Sequence, residues 1–175
     1  SLAGSLPDGV IVIRSITKTF GLAGLRAGYL LAAPDLIAAL TSGRRHWPIG
    51  TLALTALAEC LGPRGQEYAD ALARSVADDR AHLVELLAAA GIEVCAAPAA
   101  PYVLIRVPDG LGVKAALRER GFAVRSCANF TGLSADHLRL AVRSAAPAAA
   151  LVDAMTEILA DGILAGETRR TPDTR

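Results

Sequence analysis

The chain has 175 residues, 53% of them hydrophobic and 20% charged, with a formal net charge of +1. That is enough for one substantial domain or two small ones, with no excess charge to attract nucleic acid or an anionic membrane, and no apolar run reaches the roughly 18 residues of a membrane span. The three cysteines, Cys60, Cys95 and Cys127, and the histidines His46, His82 and His137 are scattered without metal or redox spacing. They read as reduced, structural or surface residues of a cytoplasmic protein with no metal site.

The opening nine residues form a polar turn rather than a signal peptide. Val10-Ile-Val-Ile13 is then a short β-branched run, the pattern of a strand buried on both faces, and Tyr29-Leu-Leu31 looks like a second such strand. A central strand needs neighbours on both edges, and parallel neighbours arrive through crossovers of a dozen or more residues. With so little chain ahead of it, the sequence reads as the C-terminal part of a longer protein. Between the two runs lie Ser15, Thr17, Lys18, Gly21, Gly24, Arg26 and Gly28. A lone lysine is ordinarily a solvated surface group. Here hydroxyls at three and one residues before it, and a guanidinium eight residues after it, form a set able to surround a phosphate while the amine faces a carbonyl. An amine becomes a useful nucleophile once burial or a neighbouring cation lowers its pKa.

This segment, Ser15-Ile-Thr-Lys18 followed by Gly21-Leu-Ala-Gly-Leu-Arg-Ala-Gly-Tyr29, resembles the lysine motif of the class I/II aminotransferases, the fold-type I enzymes that use pyridoxal 5′-phosphate (PLP). The resemblance implies that Lys18 is the Schiff-base lysine and that Ser15, Thr17 and Arg26 bind the cofactor phosphate. It also implies a homodimer, and a missing N-terminal half carrying the acidic residue that pairs with the pyridine nitrogen.

Downstream, Pro34 opens a helix that Gly43 closes. Arg44, Arg45 and Trp47 form a basic, aromatic loop too small for a nucleic-acid patch, and a solvated or substrate-adjacent loop is expected. Residues 51–61 read as a buried helix stopped by Gly62-Pro63, and 66–90 as a long amphipathic helix ending at Gly91. From Ile92 the pattern becomes α+β: strands at 92–95, 102–107, 122–126 and 138–143, a helix at 112–120, and a last helix at 148–159. Alternation in 138–143 puts Arg139 on the face opposite Leu138 and Leu140. The expected organisation is α/β: residues 1–90 as the end of a PLP-binding large domain, 91–163 as a small α+β domain, and 164–175 as a flexible tail.

The stretch from Arg125 through Cys127, Asn129-Phe130 and Gly132-Leu133 to Arg139 and Arg143 resembles the branch that decarboxylates L-threonine O-3-phosphate to aminopropanol phosphate in cobalamin biosynthesis. Histidinol-phosphate aminotransferases are its close relatives and the alternative. The resemblance makes Arg125 and Arg139 the ligands of a small phosphorylated amino-acid substrate, leaving open which holds phosphate and which carboxylate. An alternative of another class is a non-catalytic fragment or partner subunit.

Overall fold

The computed structural model describes residues 2–168, and these divide into two compact units at the boundary between Ala73 and Arg74. Of the expected tail, 164–175, residues 164–168 continue the last helix, and the rest lies outside the described residues.

In the first unit, β1 (Val12–Ser15) pairs antiparallel with β2 (Gly28–Leu31), with Val12 opposite Leu31 and Ser15 opposite Gly28. This corrects the expectation of a buried strand with parallel neighbours. Ile13 is 78% exposed, and β1 has one hydrogen-bonded neighbour among the described residues. The apolar run favours extended backbone, but it does not itself specify what covers its faces.

A single turn of helix, α1 (Ile16–Thr19), leaves β1 at Ser15, and α2 (Pro34–Thr41) follows β2 with Pro34 in its first turn. The next helix, α3 (Thr51–Leu61), begins and ends where the sequence indicates. It is not a buried helix, however: only Ala53 and Cys60 are buried, while Leu52 and Leu54 face outward. Gly62 donates its N–H to the Ala58 and Glu59 carbonyls, and Pro63, whose missing N–H costs nothing at a helix start, opens the 27-residue α4 (Pro63–Ala89). Ile16, Ala27, Ala53 and Cys60 form the core of this unit, with Phe20, Leu25, Tyr29 and Leu57 packed against them. Phe20 also stacks on Tyr68 of α4, with ring centroids 5.5 Å apart.

The second unit is an antiparallel four-stranded sheet in the order β3 (Glu93–Val94), β4 (Tyr102–Arg106), β6 (His137–Ala141), β5 (Arg125–Ser126). Val103, Ile105, Leu138 and Leu140 are fully buried and pack with Leu83 and Leu87 of α4, Val113 and Leu117 of α5 (Gly110–Glu119), and Val152 and Met155 of α6 (Ala145–Thr168). Each such large side chain contributes roughly 1.5–3 kcal/mol on removal from water, so this sheet face and these helices carry the unit's stability. Asp109 caps α5 by accepting the Gly112 N–H at 3.2 Å. At the other end of α5, Arg120 donates to Glu157 of α6 at 2.7 Å and to the Ala154 carbonyl at 3.2 Å.

Candidate functional site

Ser15 ends β1 and caps α1, so its side chain stands where an extended strand turns into helix. Its Oγ accepts the Thr17 N–H at 3.3 Å and shares a 2.7 Å hydrogen bond with Thr17 Oγ1. Thr17 is only 6% exposed, and the hydroxyl pair is thereby held in one place. Arg26 follows the short helical turn Ala23–Leu25 in left-handed backbone, φ 49° and ψ 43°. A residue with a Cβ pays about 1–2 kcal/mol for that conformation, and such strain concentrates at binding sites. Arg26 Nη1 donates to the Ala23 carbonyl at 3.4 Å.

Ser15, Thr17 and Arg26 line one cavity of about 410 Å³, together with Arg14, Gly28, Tyr29 and Arg44. Two fixed hydroxyls and several guanidinium groups suit a phosphate monoester, so the donor set fits the phosphate of the expected cofactor. Lys18 lies one residue beyond Thr17 on α1; it is exposed and is not among the residues lining that cavity. Arg44 does line it, and the only sign of this in the sequence is the basic pair Arg44-Arg45 beside Trp47.

In the second unit, Arg125 of β5 and Arg139 of β6 are direct cross-strand partners, and hence on one face of the sheet. Leu138 and Leu140 are buried on the other face, so the period-2 reading of this strand agrees with the structure. The Arg139 guanidinium lies 4.3 Å from the Tyr102 ring centroid, and that of Arg125 lies 5.5 Å from the Phe130 centroid. Among the described residues neither arginine has a carboxylate partner; the ion pairs in this unit are Arg106 with Glu93 at 4.0 Å and Arg120 with Glu157. The aromatic backing is absent from the sequence-based reading, because it depends on strand register and on a turn after β5.

On the same face, His137 stands opposite Arg106, and its Nδ1 accepts the Ser134 N–H at 3.0 Å. The Cys95 thiol is pushed up from its ordinary value, chiefly by burial and then by Glu93, with Arg106 opposing. Among the described residues no group of three or more His, Cys, Asp or Glu side chains could hold a metal ion, and no helix is long and apolar enough to cross a membrane.

Residues 2–158 match the family model for aminotransferase class I and II. The chain belongs to that family. Members of this family are PLP-dependent. Over 153 residues the chain is 48% identical to a histidinol-phosphate aminotransferase of Mycobacterium tuberculosis, covering 87% of this chain and 41% of that protein. It is 31% identical over 150 residues to the threonine-phosphate decarboxylase of Salmonella typhimurium, covering 85% and 41%. Among solved structures, the histidinol-phosphate aminotransferase of Clostridium acetobutylicum superposes with a TM-score of 0.76 at 25% identity, over 86% of this chain and 46% of that one. The mixed α/β fold is thus that of part of a fold-type I PLP enzyme, and this chain spans about 41% of the length of those curated relatives.

Proposed function

We propose that the protein containing this chain is a PLP-dependent enzyme acting on a small phosphorylated amino compound. The observation that carries this is the pair of cross-strand arginines, Arg125 and Arg139, with no carboxylate partner among the described residues, in a chain that also holds a hydroxyl and arginine cradle of phosphate character. Ser15, Thr17 and Arg26 hold the cofactor phosphate, with Arg44 at the same cavity. Lys18 would hold the cofactor through Nζ and, once freed from it by the substrate amine, would take the proton from the substrate α-carbon in amino-group transfer, or give a proton to that carbon after loss of CO2 in decarboxylation. When bound, PLP supplies an electron sink for the bond broken at that carbon. Arg125 and Arg139 hold the substrate's anionic groups through charge-assisted, forked hydrogen bonds, which fixes its orientation.

The lead reaction is amino-group transfer from histidinol phosphate to a 2-oxo acid, supported by the higher identity to aminotransferases named for that substrate. Decarboxylation of threonine phosphate is the second reading, favoured by the spelling of the stretch from Arg125 to Arg143 and by the 31% identical relative. On either reading residues 1–90 close the PLP-binding domain and 91–163 form a small domain. The remainder of the same protein and a second copy of it are the expected partners.

The deciding assay supplies the full-length protein and PLP with histidinol phosphate and 2-oxoglutarate, and separately with O-phosphothreonine. Glutamate formation from the first supports the lead. Release of CO2 from the second, with no glutamate from the first, replaces it by the decarboxylase. Neither product would overturn both.

A further inference from the structure

Arg125 and Arg139 face each other directly, an arrangement that like charges disfavour. A carboxylate beside the pair would offset such repulsion, and in this unit carboxylates pair instead with Arg106 and Arg120. The four strands of its sheet carry one acidic residue, Glu93, on the far edge strand and engaged with Arg106. The two arginines are backed instead by aromatic faces. Tyr102 is the diagonal cross-strand neighbour of Arg139, since Tyr102 pairs with Ala141 and Leu104 with Arg139. Phe130 is returned over Arg125 by a turn in which its N–H donates to the Cys127 carbonyl at 2.9 Å. Both rings remain about 40% exposed, so each is placed against a guanidinium rather than spent on the core.

A stacked ring attracts the guanidinium through its π face and restricts its orientation, yet consumes none of its five in-plane N–H donors. A carboxylate would occupy two of them and cancel the charge. We propose that Tyr102 and Phe130 are positioning residues that hold Arg139 and Arg125 as a preassembled anion clamp, with every donor edge kept for a phosphate or carboxylate of the substrate. The backing lowers the ordering cost of binding, because the arginines are already oriented before the anion arrives.

This rests on the reading of Arg125 and Arg139 as substrate ligands, and the test separates the two claims. The full-length, PLP-loaded protein is titrated with L-histidinol phosphate, and the dissociation constant is read from the change in cofactor absorbance. Arg139→Gln and Arg125→Gln should each weaken binding by about tenfold or more, since a charge-assisted contact is lost. Tyr102→Leu and Phe130→Leu should each weaken it about fivefold with the melting temperature and the ligand-free spectrum unchanged, while Tyr102→Phe and Phe130→Tyr, which keep the π face, should restore it. Leucine variants that bind like the parent, beside arginine variants that do not, overturn the positioning role alone. Weakening that the aromatic swaps fail to restore, or that tracks a fall in melting temperature, also overturns it. Arginine variants that bind normally, or a parent protein that shows no saturable change, overturn the underlying reading and the proposal with it.

Discussion

Ser15 of β1 and Gly28 of β2 stand in register at the cavity that Thr17 and Arg26 also line, and a Cβ on Gly28 would lie 2.5 Å from the Arg14 carbonyl oxygen. The strands approach this closely because residue 28 has no side chain. Gly28 does not have positive φ, so space rather than backbone freedom is the constraint. Gly28→Ala should push the strands apart, lower stability by about 1–3 kcal/mol as overpacking does, and weaken PLP binding by displacing Ser15 from Arg26. Thermal melts with a PLP titration check this, and an Ala variant unchanged in both would contradict it.

Arg26 offers two separable effects, one from its guanidinium and one from its left-handed backbone. Arg26→Ala and Arg26→Gly should both weaken cofactor binding, by roughly 1.5–3 kcal/mol if one charge-assisted contact is lost. The glycine variant should nevertheless be the more stable of the two by about 1 kcal/mol, because glycine adopts this φ without penalty. Equal melting temperatures for the two would refute the strain argument.

Lys18 and Lys114 are the two lysines of this sequence, and Lys114 is exposed on α5. Borohydride reduction of the PLP-loaded full-length protein, followed by peptide mapping, should find the pyridoxyl group on the Lys18 peptide. Lys18→Ala should remove it. Label found on Lys114, or retained after the substitution, would count against the assignment.

The Cys95 thiol, raised chiefly by burial and then by Glu93 with Arg106 opposing, should be slow to alkylate at neutral pH because the thiolate is the reactive form. Its iodoacetamide rate should keep climbing at pH values above those at which an ordinary thiol levels off. Glu93→Gln removes a negative neighbour and should speed labelling, whereas Arg106→Gln removes the opposing cation and should slow it. Changes of the opposite sign would show that these charges do not govern the thiol.

How far the sequence reaches is clearest in particular elements. Gly50 and the Gly62-Pro63 pair bound α3 from within its own neighbourhood, and the alternation of β6 places Arg139 opposite Leu138 and Leu140 through backbone geometry alone. The residues of the lysine motif are likewise legible in order, and so is the family they indicate. Only the tertiary structure decided that β1 pairs antiparallel with β2, that Ile13 is exposed, that Arg44 joins Ser15, Thr17 and Arg26 at one cavity, and that Arg125 stands opposite Arg139 with Tyr102 and Phe130 behind them. The physical reason is range. Caps and side-chain alternation depend on a few consecutive residues, whereas register, burial and cross-strand contacts depend on partners brought together by chain closure, and an apolar run has the same spelling whether or not something covers it.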